Sequence, residues 1–133
     1  MLRPGRVAKS TKKILLVEDN GDIRELLALL IKRLGYKLFE AATGLEAIDR
    51  ASAVQPDLIM MDLRLPEMNG DEATARLKAN PSTRDIPVLI TTAYVAGINT
   101  RRALDAGAAE ILYKPIDLTT LHNVLRRYLS GED

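Results

Sequence analysis

Short, uninterrupted apolar runs alternate with stripes of apolar residues spaced by three and four along this chain, and that alternation constrains its fold more than any other feature. Ile14-Leu-Leu-Val17 reads as a central strand covered on both faces. Ile23, Leu26, Leu27, Leu30, Ile31 and Leu34 then form one buried helical stripe. Asn20 can cap its start, Asp22 lies near the positive end of the helix, and Lys32, Arg33 and Gly35 mark its finish. The pattern repeats. Lys37–Ala41 is a weaker strand suited to a sheet edge, and Gly44–Ala53 a helix through Leu45, Ile48 and Ala51. Leu58–Met61 is a second buried strand, and Gly70–Ala79 a helix capped by Asn69 and stopped by Asn80-Pro81. Val88–Thr91 is a third buried strand. A short helix with a thin apolar face follows over about Asn99–Ala106, ending at Gly107. Ile111–Tyr113 is the last strand, and Asp117 caps a last helix with the stripe Leu118, Leu121, Val124, Leu125, Tyr128 and Leu129. Five strands alternating with five helices predict a doubly wound parallel α/β sheet. Right-handed crossovers favour the strand order 2-1-3-4-5.

The residues at the carboxyl ends of these strands carry the chemistry. Glu18-Asp19 follows the first strand, Asp62 closes the third, Thr92-Ala93 follows the fourth and Lys114-Pro115 the fifth. In a parallel sheet these ends share one edge, where open α/β folds bind ligands. The order 2-1-3-4-5 sets the first strand beside the third and so brings Glu18 and Asp19 to Asp62. Two carboxylates about 5 Å apart at an effective dielectric near 20 repel by roughly 3 kcal/mol. Lys114 can offset this by pairing with Asp62, and a hard cation such as Mg²⁺ can bridge the acids, with the backbone carbonyl of Arg64 completing its shell. Such a cleft suits a phosphoryl group, with one carboxylate as acceptor. Taken singly, Glu18-Asp19 is an ordinary acidic helix start, Asp62 a turn cap, Thr92 a strand-end threonine and Lys114 a surface lysine. It is their conjunction at one sheet edge that points to chemistry.

The segments Leu16-Val-Glu-Asp-Asn20, Asp57-Leu-Ile-Met-Met-Asp62, Leu65-Pro-Glu-Met-Asn-Gly70, Pro87-Val-Leu-Ile-Thr-Thr-Ala93, Ala106-Gly-Ala108 and Lys114-Pro115 together resemble the receiver domain of bacterial two-component response regulators, over about Lys12 to Leu129. The resemblance implies a flavodoxin-like fold and a stand-alone regulator of the chemotaxis and cell-cycle type. Asp62 would be the phosphoacceptor. Glu18, Asp19 and Asp62, with the Arg64 carbonyl, would hold Mg²⁺ or Mn²⁺ in its place. Thr92, beside Ala93, would bind one phosphoryl oxygen and Lys114 another, and Lys114–Pro115 would be a cis peptide. The donor would be a phosphohistidine on a histidine kinase or histidine phosphotransfer protein, and the output a change in binding to a downstream protein. The chain would then be a switch that catalyses only its own phosphorylation and dephosphorylation. The alternative is a receiver-fold docking module working without phosphorylation.

The sequence also departs from that family. An aromatic usually stands three residues before the lysine, where this chain has Ile111. Tyr113 and Tyr94 are the candidates for coupling to Thr92, and the loop Tyr94–Asn99 with its short helix is the candidate moving part. Arg64 is placed at the cleft mouth, where it could touch the phosphoryl group. His122 reads as a surface residue, and Arg101, Arg102, Glu110 and Arg126 mark an interaction surface implied by the resemblance.

Composition narrows the remaining classes. At 133 residues, 47% of them hydrophobic, the chain suits one domain, read as a receiver domain over 12–131 after a basic, flexible arm over 1–11. Five of its 19 basic residues fall within residues 1–13, leaving 14 against 18 acids, a balance of −4. The arm is read as a solvated terminus. With one Phe and four Tyr, base stacking is poorly provided for, and no direct nucleic-acid binding is expected. The apolar runs fall short of a membrane span, and a cytoplasmic monomer or weak dimer is expected. The absence of cysteine excludes disulfides and thiolate metal sites. An aspartate-nucleophile phosphatase would need an acid where Arg64 stands. A flavin carrier would want a Ser/Thr-rich phosphate loop where Glu18-Asp19 would repel the phosphate.

Overall fold

The structure is a computed structural model and describes residues 11–93 and 97–130. Tyr94 and nearly all of the basic arm lie outside the described residues.

Elements alternate as the pattern predicts: β1 (Lys13–Val17), α1 (Gly21–Arg33), β2 (Lys37–Ala41), α2 (Gly44–Val54), β3 (Leu58–Asp62), α3 (Gly70–Ala79), β4 (Val88–Thr92), α4 (Ile98–Ala106), β5 (Glu110–Tyr113) and α5 (Leu118–Leu129). The strands form one parallel sheet in the order β2-β1-β3-β4-β5, the expected one. Because strand side chains alternate, each run of apolar residues feeds two cores. Leu15, Val17, Ile59, Met61, Val88 and Ile90 face one core, closed by Ala47, Ala51, Ala73, Leu77 and Ala103 of α2, α3 and α4. Ile14, Leu16, Leu58, Met60, Leu89 and Leu112 face the other, closed by Leu27, Ile31, Leu121 and Leu125 of α1 and α5. Two covered faces are what a continuous apolar strand requires.

Several expectations need correction. The α1 stripe is not buried along its length: Leu27 and Ile31 are covered, but Ile23 and Leu26 are exposed, Leu26 by 58%. The apolar arc of α1 is wider than the sheet beneath it. Leu45 on α2 is likewise exposed, and Gly44, Ala47 and Ala51 make that helix's contact. Asn69 occupies the N-cap position of α3 without capping it. Its side chain instead lies 3.4 Å from the Leu65 amide, bracing the β3–α3 loop. The better cap was overlooked: Thr43 accepts from the Glu46 amide at 3.1 Å while Glu46 accepts from the Ala42 amide at 2.8 Å, a reciprocal pair at the start of α2. β3 and β4 each run one residue further than expected, so Asp62 and Thr92 belong to the sheet.

Glu110 of β5 is tied to α5 by the guanidinium of Arg127 at 2.9 and 3.2 Å and by the Tyr128 hydroxyl at 2.9 Å. The Arg127 fork holds the Glu110 carboxyl below the usual glutamate range, against the opposing effect of burial. A depressed folded value means that the tie stabilises above the unfolded value and is lost as pH falls through the folded one. We expect the Glu110 carboxyl resonance to titrate below an ordinary glutamate, and Arg127→Met to return it to the ordinary range.

Candidate functional site

β1 and β3 are adjacent in register, Val17 opposite Met61, so the residues just beyond them meet. Glu18 is held at every polar atom of its side chain. Its Oε1 accepts from Lys114 Nζ at 2.9 Å and its Oε2 from the Asn20 amide at 3.1 Å. Asp62, 8% exposed, lies with Oδ2 at 3.4 Å from the same Lys114 nitrogen and Oδ1 at 3.4 Å from the Arg64 amide. Asp19 is exposed at the mouth. One carboxylate oxygen from each of Glu18, Asp19 and Asp62 falls within 4.8 Å of the others.

Thr92 ends β4 at the same edge, buried, its carbonyl accepting from the Lys114 amide at 2.7 Å. Ala93 follows it, exposed. The Lys114–Pro115 peptide is cis. Arg64 is exposed in the β3–α3 loop. Ile111 is half-buried against the core, whereas Tyr113, the last residue of the edge strand, is 47% exposed. His122 is exposed on α5. The sequence expectation paired Lys114 with Asp62 alone. In the structure the ammonium bridges two carboxylates and lies closer to Glu18. A second feature was also missed: Ile23, Leu26 and Leu27 of α1 form an apolar groove with Ala93, Lys114, Pro115 and Ile116 directly beside the acids.

The electrostatics follow from this crowding. Burial pushes the Asp62 carboxyl above the usual aspartate range; the Lys114 ammonium opposes that shift and the Glu18 charge adds to it. Burial works to depress Lys114, but the hydrogen bond with Glu18 and the charges of Asp62 and Glu18 outweigh it and hold the ammonium above the usual lysine range. Two of the three clustered acids thus share one ammonium while Asp19 stands beside them, and the cluster retains uncompensated negative charge. Its donor atoms are hard oxygens, one of them on the exposed Asp19, which matches the few carboxylates that Mg²⁺ takes while keeping water. The residues fit a divalent cation, and the cluster can bind Mg²⁺.

A parallel sheet of this order binds its ligand at the β1/β3 switch point, and the acids and lysine gathered there suit a cation and a phosphoryl group, the site of a phosphate-handling α/β domain. The model of the response regulator receiver domain family matches residues 14–126. The polar-differentiation response regulator DivK of Brucella ovis is 37% identical over 119 residues, covering 90% of this chain and 97% of DivK. The DivK of Brucella anthropi is 36% identical over 118 residues, covering 89% and 96%. Among solved structures, the receiver domain of a sensor histidine kinase from Pseudomonas aeruginosa PAO1, with a magnesium ion coordinated in its active site cleft, superposes with a TM-score of 0.85 at 31% identity, covering 92% of this chain and all of that one. The chemotaxis protein CheY4 of Vibrio cholerae gives 0.84 at 28%, covering 90% and 100%. The chain belongs to the response regulator receiver domain family. It is a signalling switch of the kind phosphorylated on an aspartate, and such domains interact with histidine kinases or phosphotransfer proteins. Among the described residues no helix is long and apolar enough to cross a membrane.

Proposed function

We propose that Asp62 is the phosphoacceptor and that Glu18, Asp19 and Asp62, with the Arg64 carbonyl, hold a Mg²⁺ ion. The observation that carries this reading is the position of the Asp62 carboxylate, nearly buried at the end of β3, 3.4 Å from the Lys114 ammonium and within 4.8 Å of two further acids. A carboxylate oxygen of Asp62 attacks the phosphorus of a phosphohistidine in line. The O–P bond forms as the N–P bond to the imidazole breaks, and the imidazole keeps the electron pair. Lys114 is in reach of an oxygen of the transferring group, and Thr92, beside Ala93 at the end of β4, lies at the rim where a second oxygen would sit. A bound divalent cation supplies further neutralisation of the phosphoryl oxygens. The product is an acyl phosphate that water hydrolyses, so the signal limits itself, and the added charge biases partner binding.

The groove of Ile23, Leu26, Ala93, Pro115 and Ile116 beside the acceptor suits an apolar helical surface, so that a kinase or phosphotransfer protein can dock and present its histidine to Asp62. The proposed setting is the cytoplasm, and the working unit is residues 12–131. Incubation with acetyl phosphate and Mg²⁺ tests the reading: a single acid-stable, base-labile adduct located at Asp62 by mass spectrometry is expected. An adduct on another residue, or none, overturns it.

Arg64 is exposed two residues beyond the acceptor, where its guanidinium can cover the acyl phosphate against water. Arg64→Ala should shorten the half-life of the phosphorylated form by about threefold, the effect of losing under 1 kcal/mol of interaction. An unchanged decay rate rejects this role.

A further inference from the structure

The Asp19 carboxylate accepts no hydrogen bond among the described residues, yet its oxygen must meet those of Glu18 and Asp62 for a cation to be shared. Its position is therefore set by its backbone, and the backbone beside it is held by a side chain outside the acidic cluster. Arg24, one turn into α1, donates from Nη1 to the carbonyl oxygen of Glu18 at 2.8 Å. That carbonyl belongs to the peptide joining Glu18 to Asp19. The same guanidinium holds Glu40 of β2, with Nε 3.2 Å from Oε1. On the other side of Glu18, its amide donates to the Ala41 carbonyl at 3.1 Å, the residue after Glu40. The Glu18–Asp19 turn is thus clamped from two sides to the end of β2, by one backbone bond and one planar, bidentate-capable cation.

We infer that Arg24, anchored by Glu40, is a positioning residue for the divalent-cation site. By fixing the Glu18–Asp19 peptide it aims the Asp19 carboxylate at Asp62. The chemistry singles out arginine. A rigid fork serves two acceptors in fixed directions, one on the turn and one on the neighbouring strand, where an ammonium on a flexible stem fixes neither plane. An exposed ion pair alone contributes little to stability, and Arg24 and Glu40 are 28% and 42% exposed, so the geometry of the turn is what the pair secures. Partners that orient metal ligands typically change affinity by 10–100-fold when removed.

This inference rests on the cation site proposed above, and the test separates the two. Titrate the full chain with Mg²⁺ by calorimetry, and with Mn²⁺ by electron paramagnetic resonance, alongside metal-free thermal unfolding. Wild type should bind one ion, and Asp19→Asn should lose it; if wild type binds none, the cation site itself is wrong. With wild-type binding intact, Arg24→Ala should raise the dissociation constant about tenfold, while the melting temperature falls by no more than it does for Arg76→Ala. Arg76 pairs with Glu72 on α3, remote from the site, and its loss should leave the dissociation constant unchanged. Arg24→Lys should restore part of the affinity, and Glu40→Ala should weaken binding about threefold. The lysine and Glu40 variants carry the test if Arg24→Ala does not fold. Wild-type affinity in the folded Arg24 and Glu40 variants, or a loss in Arg76→Ala equal to theirs, overturns the assignment.

Discussion

Asp62→Asn should take up no phosphate from acetyl phosphate and, in metal-free buffer, melt at a higher temperature than the wild type. The first effect follows from the missing nucleophile, since an amide nitrogen or oxygen does not form the acyl phosphate. The second follows from the crowding of the cleft. One ammonium serves Glu18 at 2.9 Å and Asp62 at 3.4 Å, with Asp19 also close by. Burial raises the Asp62 carboxyl above its ordinary range, which means that the ionised form is disfavoured in the folded state. A raised folded value contributes stability that is complete below the unfolded value and lost as pH rises through the folded one. At neutral pH the ionised Asp62 therefore works against the fold. Asparagine keeps the shape and removes the charge, leaving Lys114 to Glu18. A gain of about 1 kcal/mol corresponds to about 4 °C for a chain of this size. Mg²⁺ should reverse the order. At a hundredfold excess over its dissociation constant it stabilises the wild type by about 2.7 kcal/mol, and the variant, with one ligand fewer, gains little. Thermal unfolding with and without Mg²⁺ checks both signs. A variant that still takes up phosphate locates the acceptor elsewhere, and one that melts lower in the absence of metal means that the Lys114–Asp62 contact outweighs the burial.

The elements and strand order were legible because the two periodicities are cleanly separated in this chain. Ile14-Leu-Leu-Val17 and Leu58-Ile-Met-Met61 have no polar alternation, so each needed two covered faces, and right-handed crossovers favoured an arrangement that joins their ends. That arrangement by itself brings Glu18 to Asp62, because β1 and β3 are neighbours. The sequence does not encode which contacts a long side chain chooses among several within reach. Lys114 could be assigned to the cleft, but not the carboxylate it approaches more closely, which is Glu18 at 2.9 Å rather than Asp62 at 3.4 Å. Periodicity also reports that a helix has an apolar stripe without saying how far its partner extends. Ile23 and Leu26 match the pattern as well as Leu27 and Ile31 do, yet they overhang the sheet beside the site. Asn69 illustrates a third limit. A side chain favoured at an N-cap is equally able to bond a loop amide, and here the loop that carries Arg64 takes it. Tyr113 and Ile111, two residues apart on β5, share a strand face, but that parity does not reveal that the last residue of an edge strand is 47% exposed.

Gly70→Ala should cost about 2 kcal/mol of stability and slow phosphorylation at Asp62 tenfold or more. A Cβ at Gly70 would stand 2.6 Å from the backbone oxygen of Asp62, 3.1 Å from the Leu63 Cα and 3.3 Å from the Ile90 Cδ1. Two of the three obstacles are backbone, so no rotamer change relieves them. The glycine amide also donates to the Leu63 carbonyl at 2.7 Å, which pins the first turn of α3 against the end of β3. Overpacking of this kind costs typically 1–3 kcal/mol, and alanine's better helix propensity, under about 1 kcal/mol, recovers part of it. A net loss of about 2 kcal/mol lowers the melting temperature by about 8 °C. The functional loss has the same origin. The colliding oxygen belongs to Asp62 itself, so a shift of a few tenths of an ångström that admits the methyl group moves the acceptor relative to Lys114 and Glu18, which are fixed to other strands. Reactions that depend on positioning lose about a hundredfold for a displacement near 1 Å, and a fraction of that displacement accounts for tenfold. Gly44→Ala makes the informative comparison, because its Cβ would meet the Met68 carbonyl at 2.9 Å, in the same β3–α3 loop but away from the acceptor. It should lose comparable stability and retain more of the phosphorylation rate. If Gly70→Ala unfolds at the wild-type temperature and takes up phosphate at the wild-type rate, α3 is not what holds the acceptor in place.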